Sequence, residues 1–489
     1  MNQKKPNIVF IMTDQQRLDT ISSLGCGYMH TPHLDRLTEN GTSYTNAFCS
    51  GATCVSSRAS LFTGLYPHNT GVYSFDNWSH QASWVQDLRD GGYYCANVGK
   101  MHIKPDFENI GFHEQRPVEN KMENFALEGG GEDDWGWWLR LHGMERELNL
   151  HKTEPGWEES LNCRVWPYEE NLHPDIFTGD LADAWIGSYN REEPFFLQIG
   201  FPGPHEPYDP PERFLKLYEN QDNFPPQIAG ENELNGKPPQ QTAHQEFFRT
   251  VDNPSRIDTA ELSGEDVRKM RRYYSANISL IDEKIGQILD RLEETGQLEN
   301  TVVIFTSDHG DNLGDHHLPY KWLMYDSIVK IPLIIADFRN PPAEKTVSGD
   351  LASLIDIGPT VLDYAGLPSP SYLEGRSLTP GNSAEPEYVF CEDNYLTMIR
   401  SHDFKMVYYL GQESGELYDL KKDPGELNNL WDREDHRPVR EELKSSLLGW
   451  LAESVYMNKN YRSRNTSGQP IRHPRDPRFG NRLHGGPAN

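Results

Sequence analysis

Cysteine is scarce in this sequence: there are six in 489 residues, and none are in a CxxC pattern. This excludes a disulfide scaffold, and we expect mostly reduced thiols. Long apolar runs are also missing. The first apolar stretch, residues 8–12, is too short for the core of a signal peptide, and no stretch is long enough to cross a bilayer. We therefore expect a soluble, cytoplasmic protein, or a periplasmic one if a leader has been removed.

Positive charge is in short supply as well. The chain has 46 Lys and Arg against 74 Asp and Glu, which gives a formal net charge of -28. A surface of this sign repels nucleic acid and anionic membranes, so both are excluded as partners. An anionic substrate would have to bind in a local positive pocket. The length of the chain allows a large core and two or more domains.

Four apolar runs indicate buried strands of an α/β protein: residues 7–13, 194–200, 301–307 and 331–336. Each run is unbroken, as in strands that are covered on both faces by helices. Before the third run, Ser263 and Asp266 form a capping-box pattern, and Gly296 is a suitable end for a helix. Apolar residues recur every three or four positions between them, which predicts a long amphipathic helix.

The chain is expected to divide into two parts. Residues 1–384 form the larger, catalytic α/β part, with an aromatic and glycine-rich insertion at about residues 119–170. Residues 385–489 begin with alternating segments joined by short polar turns, which favours a small antiparallel sheet. From residue 458 onward the sequence is rich in Arg, Asn, Pro and Gly and predicts an extended tail.

Four ionisable residues follow the predicted strands: Asp14, His205, Asp308 and His309. An open α/β sheet binds its ligands at the carboxyl ends of the strands. A single Asp after a strand is usually a turn or a helix cap. Four such residues at equivalent strand ends predict a functional site instead.

Cys54 opens the segment CVSSRASLFTG, residues 54–64. A lone Cys among small residues is more often a buried apolar residue than a nucleophile. If the segment is helical, however, Cys54 lies at the helix N-terminus, where backbone N–H groups favour an anion. Arg58 would lie one turn later on the same face. The segment therefore predicts an anion-binding site around Cys54.

This segment resembles the signature of the type I, formylglycine-dependent sulfatases of the alkaline phosphatase superfamily, C-x-P-S-R-x-x-x-L-x-T-G. Further ordered resemblances are PNIVFIMTDQQ (6–16), TPHLDRL (31–37), VGKMHI (98–103), FTSDHG (305–310), LIDIGPTVLDYAGL (354–367) and ELYDLKKDPGELNNL (416–430). Together they cover nearly the whole chain. The resemblance implies an alkaline phosphatase-like fold: a large central mixed sheet flanked by helices, and a smaller C-terminal subdomain of antiparallel sheet plus helix.

The same resemblance implies roles for individual residues. Cys54 would be oxidised to formylglycine (3-oxoalanine), whose hydrated aldehyde supplies the attacking oxygen. One divalent metal, usually Ca²⁺ with Mn²⁺ or Mg²⁺ as alternatives, would be bound by Asp14, Gln15, the modified Cys54, Asp308 and His309. Among the other catalytic residues, Arg58 would hold the hydrated aldehyde and the metal-side carboxylates, and Lys100 and Lys321 would contact the sulfuryl oxygens. His102 would be the base, and His205 the acid for the leaving alcohol.

Two features depart from the common family pattern. Ser56 stands where the signature usually has Pro, beside the residue to be modified. Gln15 and His309 replace the Asp and Asn of many relatives, which removes one carboxylate from the metal ligands.

Some of these residues also have structural interpretations. His102 could be a core histidine bonded to a carbonyl, and His205 could brace the proline-rich turn in which it lies. In the insertion, Trp135, Trp137 and Trp138 are either core residues or a platform that stacks on sugar rings.

The resemblance implies hydrolysis of a sulfate ester on a carbohydrate, either an oligosaccharide of a marine algal polysaccharide such as ulvan or a glycosaminoglycan. A formylglycine-generating or anaerobic maturation enzyme would be a partner. The first alternative is a phosphonate monoester or phosphodiester hydrolase of the same superfamily, which tends to lack the GKMH element of residues 99–102. The second is a non-catalytic sulfosugar-binding protein with unmodified Cys54.

Overall fold

The structure is a computed structural model that describes residues 4–78, 82–105, 108–119, 121–122, 132–382 and 384–458. The predicted tail after Asn458, and residues 123–131 of the predicted insertion, lie outside the described residues.

Twelve strands form two sheets in the described part of the chain. The eight strands of the larger sheet are β1 (Asn7–Asp14), β2 (Gly41–Phe48), β3 (Tyr94–Gly99), β4 (Glu114–Arg116), β5 (Phe195–Pro204), β6 (Thr301–Ser307), β7 (Lys330–Asp337) and β8 (Thr346–Ser353). Their spatial order is β4-β3-β5-β1-β6-β7-β2-β8. The first five strands in that order are parallel, β7 is antiparallel to both neighbours, and β8 is parallel to β2. The prediction of a large mixed sheet is confirmed.

The smaller sheet is antiparallel, with the order β12-β11-β10-β9. Its strands are β9 (Val389–Asp393), β10 (Leu396–Arg400), β11 (Phe404–Tyr409) and β12 (Gly415–Asp419). This confirms the antiparallel sheet expected in the C-terminal part. The division of the chain at residue 384 stays a prediction.

Fourteen α-helices connect and cover the strands in the described ranges. They are α1 (Pro32–Glu39), α2 (Cys54–Thr63), α3 (Pro67–Thr70), α4 (Trp84–Asp90), α5 (Asp134–Leu141), α6 (Leu150–Thr153), α7 (Trp157–Ser160), α8 (Pro174–Ser188), α9 (Glu212–Lys216), α10 (Pro239–Thr250), α11 (Gly264–Glu294), α12 (Asp326–Val329), α13 (Ile357–Tyr364) and α14 (Arg437–Met457). Within the described ranges, no helix is both long and apolar enough to cross a membrane.

Helices cover both faces of the larger sheet, as the unbroken apolar runs predict. Along β1, Val9 and Ile11 pack with residues of α1, α8 and α11, while Ile8 and Phe10 pack with residues of α2, α4 and α13. Side chains of a strand alternate between its faces, so a strand covered on both must be apolar throughout. β1 lies between β5 and β6, which places its last residue at the centre of the sheet.

The long helix α11 begins and ends where the sequence predicts. The Ser263 hydroxyl accepts a hydrogen bond from the Asp266 N–H at 3.2 Å, and the Asp266 carboxylate accepts one from the Ser263 N–H at 2.9 Å. Gly296, two residues after the helix, has a φ of 68°, a conformation that favours glycine. The predicted strand 194–200 is longer in the structure, because β5 continues to Pro204.

Candidate active site

Strand ends bring the predicted residues to one edge of the larger sheet. β1 ends at Asp14, Asp308 directly follows β6, His205 follows β5, and Lys100 follows β3. These four strands are neighbours and parallel, so their carboxyl ends meet. The turn before Lys100 requires Gly99: its φ is 91°, and a Cβ there would collide with the Gly200 carbonyl of the neighbouring strand.

Helix α2 presents Cys54 at its first position, as predicted. Arg58, one turn later, is fully buried (0% exposed). Its Nε donates to Asp308 Oδ2 at 2.8 Å, its Nη2 to Asp14 Oδ2 at 3.2 Å, and its Nη1 to the Lys100 carbonyl at 3.1 Å. One guanidinium therefore ties together the ends of β1, β3 and β6, a role that its planar fork of donors suits.

The thiol of Cys54 lies at the centre of the site. Its Sγ is 2.8 Å from Lys321 Nζ, 3.2 Å from His309 Nε2 and 3.8 Å from Asp14 Oδ1. Burial, together with the nearby Asp14 carboxylate, raises the pKa of the Cys54 thiol to about 12. Because the nucleophilic form of cysteine is the thiolate, unmodified Cys54 is a poor nucleophile in this surrounding at neutral pH.

Buried cations surround the Asp14 carboxylate. Lys100 Nζ lies 2.7 Å from Asp14 Oδ2, and Lys321 Nζ lies 4.0 Å from Asp14 Oδ1. Burial alone would raise the pKa of Asp14, but Lys100, Lys321, His205 and Arg58 hold it well below the usual value. Lys100, Lys321 and Arg58 are buried close to the Asp14 and Asp308 carboxylates, and Glu119 and Glu206 also lie near the two lysines. Buried cations that an anionic substrate could contact are therefore present in a strongly acidic chain.

A metal ion fits the oxygen and nitrogen atoms of this site. Ligand atoms of Asp14, Cys54, Asp308 and His309 all lie within 4.8 Å of one another. Two carboxylates and an imidazole suit a divalent cation, and Ca²⁺ and Mg²⁺ prefer the oxygen ligands.

The Gln15 side chain provides a second indication of a metal site. Its Nε2 donates to Glu206 Oε2 at 3.0 Å and to Asp311 Oδ2 at 2.8 Å, which fixes the orientation of the amide. Its Oε1 is buried and has no hydrogen-bond partner. An unpaired buried acceptor is costly unless something binds it, and a metal beside Asp14 would do so. Glu206 and Asp311 were missed by sequence reasoning, although each lies within three residues of a predicted site residue.

The two candidate histidines are both buried and tied to the loops that follow their strands. The backbone N–H of His102 donates to the carboxylate of Glu119 at 3.1 Å, and the ring Nδ1 of His102 has no hydrogen-bond partner. His205 Nδ1 bonds to the Glu206 carbonyl at 2.9 Å. Burial, reinforced by Lys100 for His102 and by Lys321 for His205, lowers the pKa of both imidazoles well below the usual value. Both are therefore neutral at neutral pH.

The tryptophans of the insertion do not form one platform. Trp135 is buried at 3% exposure and donates its Nε1–H to the Leu172 carbonyl at 2.9 Å. Trp138 stacks on Phe177 with ring centroids 5.5 Å apart. Trp137 is 51% exposed. Two of the three are thus packing residues, as the structural interpretation expects.

A mixed sheet with carboxylates at its strand ends and a buried cationic pocket defines a hydrolase of the alkaline phosphatase-like class. Comparison with protein families defines the chain further. The model of the sulfatase family matches residues 6–367, so the chain belongs to the sulfatase family and is a sulfuric ester hydrolase. A second model, N-sulphoglucosamine sulphohydrolase, C-terminal, matches residues 314–452.

Individual relatives match over almost their full length. An arylsulfatase of Clostridium perfringens is 29% identical, and the match covers 91% of this chain and 94% of the relative. An N-acetylglucosamine-6-O-sulfatase of Bacteroides thetaiotaomicron is 26% identical, over 91% of this chain and 86% of the relative. Among solved structures, a phosphonate monoester hydrolase of Agrobacterium radiobacter superposes with a TM-score of 0.78 at 25% identity, over 92% of this chain and 96% of that chain. The predicted family and fold are confirmed; the roles of the site residues stay predictions.

Proposed function

We propose that this sulfatase hydrolyses a sulfate ester of a carbohydrate, with formylglycine made from Cys54 as its nucleophile and with a divalent metal. The observation that carries the proposal is the placement of Cys54 Sγ, 2.8 Å from Lys321 Nζ and 3.2 Å from His309 Nε2, in a pocket that also holds the buried cations Lys100 and Arg58. A sulfate ester needs both an oxygen nucleophile and cations around its sulfuryl oxygens.

The metal would be held by Asp14, Gln15, Asp308, His309 and the modified Cys54, with Ca²⁺ as the first choice and Mn²⁺ or Mg²⁺ as alternatives. When bound, the metal and the hydrated aldehyde supply Lewis acidity and an attacking oxygen. The unpaired Gln15 Oε1 and the four clustered ligand atoms support this assignment.

The cationic side chains hold the sulfuryl group. Lys100 and Lys321 are buried ammonium groups on opposite oxygens of Asp14, so an anionic group that enters between them is bound by both. Arg58 donates to Asp14, Asp308 and the Lys100 carbonyl, and it keeps the strand ends and the start of α2 in register.

The two histidines would handle the protons. His102, whose Nδ1 has no partner and whose lowered pKa keeps the ring unprotonated, would accept a proton from the hydrated aldehyde when sulfate is released. His205 would protonate the leaving oxygen. Its Nδ1 donates to the Glu206 carbonyl, so Nε2 of the neutral ring carries no proton. His205 would therefore have to take up a proton at Nε2 before it acts as the acid, and a bound anionic substrate favours that charged form.

A carbohydrate ester is supported by the N-acetylglucosamine-6-O-sulfatase among the relatives, an enzyme named for a sulfated sugar. Fragments of a marine algal polysaccharide such as ulvan, or of a glycosaminoglycan, belong to this class. Hydrolysis of phosphonate monoesters is the second candidate, and the superposition on a phosphonate monoester hydrolase favours it. The two candidate functions can be distinguished at Lys100, because it belongs to the GKMH element that phosphonate monoester hydrolases tend to lack.

The test is the variant Lys100→Ala. We expect kcat/KM for a sulfate ester to fall by about 10²–10³-fold, as when one preorganised charge stabiliser is lost, and kcat/KM for a phenyl phosphonate monoester to fall less. Lys405→Ala, which removes a buried lysine of β11 paired with Asp326, is the matched control for loss of a buried ammonium group. Full sulfatase activity of Lys100→Ala would show that the GKMH element has been wrongly assigned.

Maturation is tested separately by mass spectrometry of the peptide that contains Cys54. Conversion replaces CH₂SH by CHO and lowers the mass by that difference. Protein from a host that matures sulfatases should show the aldehyde form. An unconverted thiol in active protein would contradict the proposed nucleophile.

A further inference from the structure

The site formed by Cys54, Asp14, Lys100, Lys321 and His309 is called the reaction pocket. A separate cleft of about 210 Å³ is lined by Trp322, the residue after Lys321, and by nine further residues. Helix α10 contributes Gln240 and Phe247 to its wall, the segment after Lys321 contributes Trp322, and the turn between β9 and β10 contributes Asn394 and Tyr395. An apolar cavity of about 150 Å³ holds a benzene molecule, so this volume suits one substituted six-membered ring.

Residues of the cleft wall adjoin or contact residues of the reaction pocket at three points. Trp322 follows Lys321, whose Nζ contacts Cys54 Sγ. Asp393, another wall residue, accepts a hydrogen bond at 2.6 Å from Thr53, the residue before Cys54. The Phe75 ring lies 6.4 Å from the His102 ring and 6.2 Å from the Trp322 ring, centroid to centroid, and so bridges the two sites.

Aromatic rings form much of the wall. Phe247 and Tyr395 are 45% and 44% exposed, so both rings have apolar surface that a ligand could cover. The rings of Phe247 and Trp322 are 5.8 Å apart. Such rings bind the apolar face of a flat or chair-shaped ring by stacking.

The polar atoms of the wall indicate hydroxyl groups. The indole N–H of Trp322 and Oε1 of Gln240 are both buried and lack a hydrogen-bond partner. A buried polar group without a partner is costly, so a ligand that satisfies both groups is favoured. A hydroxyl group donates and accepts, and a ring with several hydroxyls can reach one free donor and one free acceptor at once.

Charge excludes a second anionic group. Neither Lys nor Arg is among the described residues that line the cleft, and Asp393 is its one acidic residue. The Asp393 carboxylate already accepts hydrogen bonds from Thr53 and from the Asn394 side chain, at 2.6 and 3.2 Å. A second sulfate or a carboxylate on the ligand would lose its hydration here and gain no cation in return, which is costly.

We propose that this cleft binds the sugar ring that carries the scissile sulfate, and that it selects an uncharged hydroxylated ring over one with additional anionic groups. The proposal rests on the proposed function, because the reaction pocket must hold the sulfate. Phe247, Trp322 and Tyr395 supply the stacking surface, and Trp322 Nε1 and Gln240 Oε1 bind ring hydroxyls.

The test compares ring and ring-free substrates. The 6-sulfates of glucose, galactose and mannose are assayed with ethyl sulfate as the reference. We expect the best hexose monosulfate to exceed ethyl sulfate in kcat/KM. The ratio should fall about three- to tenfold in Phe247→Ala, which removes a stacking ring, and about fivefold in Trp322→Phe, which keeps the ring and loses the N–H. Leu448→Ala, at a 69% exposed position of α14, is the control for an exposed apolar truncation and should leave the ratio unchanged.

Several outcomes would overturn the proposal. One is equal loss for hexose sulfate and ethyl sulfate in both cleft variants. Another is a preference for a hexose 2,6-disulfate, or for a small aliphatic sulfate that carries a quaternary ammonium group. If no sulfate ester is hydrolysed at all, the proposed function fails, and the cleft is then judged by saturation-transfer NMR with the free hexoses. Binding that is lost in Phe247→Ala supports the cleft, and absence of binding overturns it.

Discussion

The reaction pocket and the neighbouring cleft differ in the kind of side chain that lines them. In the pocket, Lys100, Lys321 and Arg58 are buried against two carboxylates, with ion-pair distances of 2.7–4.0 Å. In the cleft, the wall residues are aromatic or uncharged apart from Asp393. Charged groups in the pocket are held by opposite buried charges. The cleft has no such ion pairs among its described wall residues and is lined mainly by uncharged groups.

This difference separates two kinds of recognition. Desolvated charges act strongly on an ester group but distinguish poorly among alcohols, since every sulfate ester carries the same sulfuryl oxygens. Aromatic surfaces and unpaired hydrogen-bonding groups are sensitive to the alcohol. We therefore expect changes in the pocket to affect all substrates and changes in the cleft to affect them selectively.

The largest expected effect comes from Cys54→Ala, which removes the proposed nucleophile from the pocket and leaves the cleft intact. Turnover of every sulfate ester should fall by at least about 10⁴-fold, as for other covalent nucleophiles. Binding of a free hexose, measured by saturation-transfer NMR, should persist. Cys163→Ala changes another buried thiol, outside the pocket, and is the control. Comparable loss in both variants would point to a folding defect instead of a nucleophile.

An intermediate effect is expected from Asp311→Asn, which disturbs the pocket without touching a proposed catalytic residue. Asp311 Oδ2 accepts from both Gln15 Nε2 and the Tyr208 hydroxyl, and its Oδ1 accepts from the Leu313 N–H. An amide cannot accept at both ends. If the new amide group faces Gln15, the Gln15 side chain keeps only Glu206 as an acceptor, and its orientation is less firmly fixed. Affinity for Ca²⁺, measured by thermal shift during titration of chelator-treated protein, should fall about 10–100-fold. Asp258→Asn, on an exposed segment, is the control; unchanged affinity in Asp311→Asn would remove Gln15 from the proposed ligands.

The smallest effect concerns a buried carboxylate outside both regions. Asp282 of α11 accepts hydrogen bonds from the N–H groups of His33 and Leu34, at 3.1 and 2.7 Å, and burial raises its pKa to about 7. The pKa of Asp14, which has cations beside it, moves the other way.

The sign of the pH dependence follows from this raised pKa. An Asp in the unfolded chain titrates near pH 4, so the folded state binds the Asp282 proton more tightly than the unfolded state does. The stability gained from this tighter proton binding is fully present below about pH 4. It is lost as pH rises from about 4 to 7. The free energy of unfolding of the wild type should decline relative to Asp282→Asn by about 1.4 kcal/mol per pH unit between pH 5 and 7. Urea unfolding at pH 5, 6, 7 and 8 measures the difference; a constant difference would contradict the raised pKa.

Local patterns predicted the centre of the fold well. The apolar runs of β1, β5, β6 and β7 and the capping box of α11 are each contained within a short segment, and each is found in the structure. The strand-end ligands follow from those strands, because parallel neighbours share one edge. The edge strands could not be predicted in this way: β4 has three half-buried residues, and much of β8 is exposed, so neither has an apolar run.

Local sequence patterns could not predict contacts between distant segments. The amide of Gln15 is oriented by Glu206 and Asp311, which lie 191 and 296 positions later in the chain. The cleft joins α10 to a turn in the C-terminal sheet. Which polar groups meet there depends on how the two sheets pack, and no short segment of sequence contains that information.

The burial of Cys54 has a consequence for the synthesis of the protein. The side chain is 1% exposed, and it contacts His309 and Lys321, which both lie in the segment after β6. A modifying enzyme cannot reach such a residue in the finished fold. If Cys54 is oxidised as proposed, the reaction takes place on the nascent or unfolded chain. It then competes with the folding step that buries Cys54. A molecule that folds too early keeps its thiol, so the active fraction is decided by timing during biogenesis and not by any later equilibrium.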